Sequence, residues 1–308
     1  MNKQSLLAAL LTSIIGMNAN AYQTEISGFY EYTDIKESDL EDHQVNTGSL
    51  NGKYYFNPVQ TRNAPLAEAA FLDKASNIGL GYTYAKESGN YPFTFIFGTP
   101  LVDVDYKQEF KALGINGEFF IPNSQFYISG SLHKTEIEAE AISKASNESF
   151  KYASEDGNGY AFEAGFLPFN GLLVAVGVAD LSESFDPIQA AKYGFITTYA
   201  NAAAVSGEDD DKAVTLRAKY VSEMGGYYTN LEAQSYMGDE TTYRLAADLY
   251  LEPTLSIGAS LADSTAEESE TIFSVRAQKY FTPQVAVGVN YTTVDNTDSF
   301  GINGTFRF

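Results

Sequence analysis

The sequence predicts an all-β fold, a transmembrane antiparallel up-and-down β-barrel of about fourteen strands. Three observations carry this reading. A period-two alternation recurs along the chain. Beyond residue 21 no apolar run is long enough to cross a bilayer as a helix, the longest being residues 171–179. Aromatic content reaches 14%, from 22 Tyr and 21 Phe with no Trp. A membrane barrel alternates apolar and polar residues along each strand, so mean hydropathy stays low while one face remains apolar.

The first 21 residues read as an export signal. Lys3 supplies a charged start, residues 6–15 are mostly apolar, and Ala19-Asn20-Ala21 fits a small-x-small cleavage pattern. The expected division is therefore a signal peptide over residues 1–21 and an outer-membrane barrel over residues 22–308. The chain has no cysteine, which excludes a lipoprotein anchor and disulfides. A formal charge of −21 argues against nucleic acid, whose phosphates would repel this surface.

The strands follow from the alternation. Ile78, Leu80, Tyr82 and Tyr84 fall on one face, with Gly79, Gly81 and Thr83 on the other. Phe126, Ile128 and Leu132 oppose Tyr127, Ser129 and Ser131. Tyr160, Phe162 and Phe166 oppose Ala161, Glu163 and Gly165. Tyr243, Leu245, Leu249 and Leu251 oppose Arg244, Ala246, Asp248 and Tyr250. Val285, Val287, Val289 and Tyr291 oppose Ala286, Gly288, Asn290 and Thr292, and Phe300, Ile302, Phe306 and Phe308 oppose Gly301, Asn303, Thr305 and Arg307. A soluble sandwich would also alternate. Here the second face is small, polar or charged, as a wet lumen requires.

The connections alternate in length. Short turns are expected at 122–123, 168–170, 222–226, 253–254 and 282–283, four of them marked by proline, which pre-sets a turn and cannot donate to a ladder. Ile121, Leu167, Leu251 and Phe281 precede those prolines and should place large side chains at the membrane interface. Longer, more polar connections are expected at 36–43, 87–106, 138–156, 182–211 and 263–270, with two short ones at 237–240 and 294–299. Short turns at one end and longer loops at the other is the outer-membrane pattern. The apolar residues Phe93, Phe95, Ile96 and Phe97, and the stretch 185–205, should fold back onto the barrel mouth.

Residues 57–76 break this pattern. They should form a short turn, yet they are long, and residues 65–72 have helical composition with Pro65 at a helix start. Two readings stay open. The segment folds into the lumen, so that Pro65, Leu66, Glu68 and Phe71 constrict it, or it caps the periplasmic rim as a small helix.

The chain ends Phe306-Arg307-Phe308. A terminal phenylalanine preceded by apolar residues at alternate positions resembles the signal that the barrel-assembly machinery reads, with Phe306 and Phe308 as its core and Gly304 departing from it. Tyr54-Tyr55-Phe56, followed by Asn63-Ala64-Pro65-Leu66-Ala67-Glu68-Ala69-Ala70-Phe71-Leu72, resembles a segment of an outer-membrane porin family of Acinetobacter and related gammaproteobacteria. The resemblance covers the export signal, this segment, the hairpin prolines and the C-terminus. It implies a single-chain channel for small polar solutes with a restricted opening, and does not identify the solute.

The strand register assigns the lumen side chains. Arg217, Lys219, Arg244, Arg276 and Arg307 should point inward from the C-terminal half, with Glu232 and Asp248 among them. Earlier strands contribute Glu25, Glu31, Lys53, Glu118 and Glu163. One reading is a basic wall facing an acidic one, a transverse field that sets ion preference. The other is a set of salt bridges that hold the barrel round. On the lipid face a Lys or Arg costs roughly 2–4 kcal/mol at mid-bilayer, which favours the inward assignment.

The acidic runs at Asp39, Glu41 and Asp42, at 208–211, and at Glu267, Glu268 and Glu270 fall in external loops. They either bind divalent cations that bridge lipopolysaccharide phosphates or are solvated loops. No motif for a metal or cofactor is present. Only two histidines exist: His43, expected in a loop, and His133, expected to face the lumen near Ser129 and Ser131. Strand spacing alone does not build a triad.

The sequence therefore points first to a passive diffusion channel for small polar or charged solutes in the outer membrane, in contact with lipid and lipopolysaccharide, with a monomer expected and catalysis not. The alternative is a plugged structural or adhesion barrel with partner-binding loops. A third reading, a lipid-active barrel enzyme, would depend on His133.

Overall fold

A closed cylinder satisfies every strand edge, which a chain crossing lipid must do because no water is there to hydrogen-bond an open edge. The computed structural model describes residues 21–36, 41–62, 64–96, 99–144, 148–180, 212–266 and 269–308. It contains fourteen strands: β1 (Ala21–Ile35), β2 (Glu41–Gln60), β3 (Asn77–Ile96), β4 (Thr99–Phe120), β5 (Phe126–Ser143), β6 (Ser149–Phe169), β7 (Leu172–Asp180), β8 (Ala213–Met224), β9 (Tyr227–Met237), β10 (Thr241–Glu252), β11 (Leu255–Ser264), β12 (Ile272–Thr282), β13 (Val285–Val294) and β14 (Thr297–Arg307). Each pairs with its sequence neighbours, and β1 pairs antiparallel with β14 to close the barrel. The seam register runs from Glu25 opposite Arg307 to Ile35 opposite Thr297. The Phe308 carbonyl extends it by accepting from the backbone N–H groups of Gln23 and Thr24.

The alternation falls as the sequence predicts. Leu80, Leu113, Leu132, Phe162, Leu245, Val289 and Ile302 all stand exposed on the outer face. Their strand neighbours Thr83, Thr135, Glu31 and Arg307 are buried inside. No helix is long and apolar enough to cross a membrane among the described residues.

Tight turns close the end at which β1 begins and β14 finishes. Asn123, Gly171, Gly225 and Gly226 adopt positive φ there. Gly171 also lies against the backbone of β8, and a Cβ at this position would strike the Val221 carbonyl. Gly171→Ala is therefore expected to destabilise the barrel by about 1–3 kcal/mol, read as a lowered urea midpoint in detergent. An unchanged midpoint would show that this turn relaxes freely. Ile121, Leu251 and Phe281 point outward near these turns, as expected. Leu167 does not. It continues the inward face of Glu163 and Gly165 and packs against Tyr127 and Leu173, and the register shift that follows between Phe166 and Phe169 returns Phe169 to the outer face.

At the opposite end the sequence misplaces strand as loop. Most of residues 87–106 forms the paired tips of β3 and β4, with Glu87 opposite Gln108 and Ile96 opposite Thr99. Residues 138–143 and 149–156 likewise pair between β5 and β6. The backbone of Phe93, Phe95 and Ile96 continues β3, a correction to their reading as a folded-back loop, while Phe97 and residues 185–205 lie outside the described residues. So do Asp39, Glu267, Glu268 and residues 208–211.

The polarity of these strand tips is inverted. Within the apolar band β4 points Leu113 and Ile115 outward. Beyond it, Glu109 and Lys111 occupy that outer face and Phe110 turns inward. Phe110 joins Ile35, Val45, Ala85, Ala112 and Ile137 in an apolar cluster inside the barrel extension. Water outside and a closed interior explain the switch: past the lipid, the apolar side chains gain by turning in.

Candidate functional site

The segment between β2 and β3 is built to turn sharply and then travel. Pro65 precedes a 3-10 turn at Leu66–Glu68, and a single α-helical turn, α1 (Ala69–Leu72), follows. Lys74 ends it in a left-handed conformation, φ 51°, while the Ala75 N–H bonds back to the Ala70 carbonyl at 2.9 Å. The Asp73 carboxylate ties the entry strand to the exit, accepting from the Gln60 N–H at 3.0 Å and from Arg62 at 2.7 Å.

Between those ties the segment reaches around the barrel wall. The Leu66 N–H donates to the Pro253 carbonyl at 2.8 Å, and its side chain packs on Tyr280 and Ala286. Glu68 accepts from Tyr250 Oη at 2.7 Å and pairs with Lys219 at 2.8 Å. Phe71 packs among Tyr127, Leu167, Leu173 and Phe120, and Lys219 Nζ sits 5.1 Å from its ring centroid. Ala69 packs with Tyr22, Tyr55 and Val59. These partners belong to β1, β2, β4, β5, β6, β7, β8, β10, β12 and β13, and the β10–β11 turn. Glu68 is 6% exposed, as is Leu66. A helix lying on the rim would leave both in water. The segment instead forms a floor inside the mouth at this end of the barrel.

Above this floor lies a cavity of about 220 Å³, lined by Glu25, Lys53, Glu118, Glu163, Arg217 and His133 with smaller polar residues. Arg217 pairs with Glu163 at 2.7 Å and donates to Tyr127 Oη at 2.9 Å, and Tyr127 donates to Glu118 at 2.9 Å. Lys219 bridges Glu68 and Glu232, each at 2.8 Å. Arg276 grips Asp248 with two bonds of 2.7 and 2.8 Å. Arg244 approaches Glu232 only to 3.9 Å. Arg307 pairs with Glu25 at 2.6 Å and donates to the Leu66 carbonyl at 2.8 Å. Glu31 accepts from Asn290 at 2.7 Å.

The inward positions are those the register assigned, but the signs are interleaved. Each base named here has an acid on a nearby strand or on the floor, so ion pairs run through the lining alongside the basic excess of the C-terminal half and the acidic excess of the N-terminal half. Desolvation offsets much of what such pairs gain in a restricted interior, but removing one partner there is costly because it leaves the other charge uncompensated.

Sequence reasoning did not find the aromatic collar of the floor. Tyr22, Tyr127, Tyr250 and Tyr280 are all buried. Arg307 lies between the Tyr22 and Tyr280 rings, 4.5 and 4.8 Å from their centroids. A usable signal existed. These tyrosines fall on the face otherwise given to small and polar residues, so something inside had to pack on them.

His43, expected in a loop, is buried within β2 and meets Glu87 at 2.5 Å. His133 faces the cavity, but Ser129 Oγ donates to Glu163 at 3.0 Å. Among the described residues no group of three or more His, Cys, Asp or Glu side chains could hold a metal ion.

A family model described as "Putative general bacterial porin" matches residues 1–308. Among solved structures, the Acinetobacter baumannii outer membrane protein Omp33 is 27% identical, with a TM-score of 0.62 over 94% of this chain and 99% of that one. Two barrels at 10% identity share the fold alone. One is the TodX deltaS2S3 mutant monoaromatic hydrocarbon channel, TM-score 0.52, covering 93% of this chain and 89% of its own. The other is the CymD monoaromatic hydrocarbon channel, TM-score 0.50, covering 100% and 93%. No curated protein matches the sequence.

Proposed function

This chain belongs to that bacterial porin family and is an outer-membrane channel of the passive-diffusion type, and from this premise we propose that its floor segment restricts the pore and its charged belt selects the solute. The observation that carries the proposal is Glu68, held by Lys219 and Tyr250 on the wall opposite its point of departure. Small polar or charged solutes would enter the cavity lined by Lys53, Glu118, Glu163 and Arg217 and pass the floor where Pro65, Leu66, Glu68 and Phe71 narrow the path. Lys219, Glu232, Arg244, Asp248, Arg276 and Arg307 would supply the rest of the charged lining.

Ion preference tests the belt. Changing Arg217, Arg244 and Arg276 to Gln leaves Glu163 and Asp248 without their cations and Glu232 with Lys219 alone, so reversal potentials across a salt gradient should move toward cation selectivity. Unmoved potentials would assign these arginines to wall integrity alone.

The same fold observations favour a second reading, a barrel held shut as a structural element, because the floor touches so much of the wall. Steady conductance steps in a planar bilayer support the channel, and silence in every preparation supports the closed barrel. We also propose that the protein works as a monomer and without catalysis. Residues 1–21 are read as a cleaved export signal, and Phe306 and Phe308 as the feature engaged by the barrel-assembly machinery. The outward, 46% exposed ring of Phe308 at the end of β14 suits that last role.

A further inference from the structure

On several strands the outer face changes from apolar to charged at a definite level, and the first charge met differs around the barrel. On β3 the outward residues run Ile78, Leu80, Tyr82, Tyr84 and then Lys86. On β4 they run Ile115, Leu113 and then Lys111, and on β5 Ile128, Gly130, Leu132 and then Lys134. Three adjacent strands thus place lysine first above the apolar band. On β1, β11 and β14 the first outward charges are Asp34, Asp263 and Asp298. In a chain with 40 acidic and 19 basic residues, an arc of lysines at one level runs against composition.

We propose that the outer face of β3–β5 binds lipid A, the bisphosphorylated glycolipid anchor of lipopolysaccharide. Its phosphates would meet Lys86, Lys111 and Lys134, and its acyl chains would lie along Leu80, Leu113, Ile115 and Leu132, which are 58, 51, 45 and 54% exposed. The height fits, because the lysines stand where the strands leave the apolar band and the interior turns apolar. Tyr82 and Tyr84 flank them at the level where amphipathic rings gather. The charges also fit. Lys111 lies 3.5 and 3.9 Å from Glu136 and Glu138, and Lys134 lies 3.3 Å from Asp156. These pairs are long and solvated, so each contributes little and yields readily to a phosphate. Along each strand the lysine comes first and an acid next, Glu109 beyond Lys111 and Glu136 beyond Lys134, while across the ladder Glu109 faces Lys86 and Glu136 faces Lys111, so a phosphate would draw the lysines from these solvated acids.

The test uses the full refolded chain in detergent micelles, titrated by native mass spectrometry with bisphosphorylated lipid A, dephosphorylated lipid A and phosphatidylglycerol. Bisphosphorylated lipid A should bind at least about tenfold more tightly than either comparison lipid. K86Q/K111Q/K134Q should lose about tenfold or more of that affinity. Lysine-to-arginine replacement at the same three positions should keep it, and so should K36Q, whose lysine pairs with Asp298 on the seam. Equal binding of the dephosphorylated lipid or of phosphatidylglycerol would overturn the proposal, as would undiminished binding by the glutamine variant. The lipid comparison on the unaltered protein decides the matter even if that variant fails to fold.

Discussion

Deleting residues 65–72, with residues 64 and 73 joined by a short glycine-serine bridge, is expected to raise single-channel conductance several-fold. The deleted residues are those that fill the mouth at the terminal end, and they contribute no strand to the wall. The cylinder is held by the ladders from β1 to β14 and by the seam, none of which passes through the floor. The retained electrophoretic shift between heated and unheated protein would confirm that the wall still forms. Conductance follows the open cross-section at the narrowest point, so removing the floor should act there directly. A milder variant separates the floor's bulk from its latch. Glu68→Gln takes away the anion that Lys219 and Tyr250 hold, while Lys219 keeps Glu232. It should produce intermittent large openings over an unchanged base level. Deletion steps no larger than those of the unaltered protein would mean that the conducting path does not cross the floor.

The features that make these variants informative differ in how visible they were in the sequence. Lipid imposes one rule along its whole thickness, apolar outward, and so Leu80, Leu132 and Ile302 announce their strands by period two alone. The rule ends where the lipid ends. Residues 104–111 still alternate, but with Phe110 inward and Glu109 and Lys111 outward, so the phase inverts and charged residues interrupt the apolar pattern. The loop reading of residues 87–106 therefore takes in the start of that stretch, although it pairs throughout with β3 and β5. Leu167 was missed for a different reason: period two puts it on the inward face with Glu163 and Gly165, but its place beside a turn proline assigned it to the interface. The irregularity in that ladder acts only beyond it, where it returns Phe169 to the outer face.

The lumen shows the same division. The register fixed which charges turn inward, because period two is a local property. It could not pair them, because Arg217 meets Glu163 from a strand 54 positions away and Glu68 meets Tyr250 across 182. Such partners depend on barrel closure and on where the floor segment lies. The unusual length of residues 57–76 signalled that something lay there, while its position inside rather than beneath the barrel followed only from its buried contacts.

The largest stability loss is expected at Arg307, where the seam and the floor meet. Its guanidinium is 4% exposed, pairs with Glu25 across the β1–β14 seam and donates to the Leu66 carbonyl of the floor. It also stacks between Tyr22 and Tyr280, so its planar group does work that a lysine ammonium could not repeat. Arg307→Met keeps most of the volume but strands Glu25 among aromatic rings. Breaking a buried pair in this way costs about 3–5 kcal/mol. The loss should appear as a lower urea midpoint for unfolding in detergent, together with noisier conductance as Leu66 loses its tie. Adding Glu25→Gln should restore part of the midpoint, because the double variant removes the stranded charge as well as the attraction. That partial recovery distinguishes a desolvated ion pair from simple loss of packing, which the second substitution could not repair. If Arg307→Met unfolds at the same urea concentration as the unaltered chain, water reaches this pair and the seam rests on its backbone ladder alone.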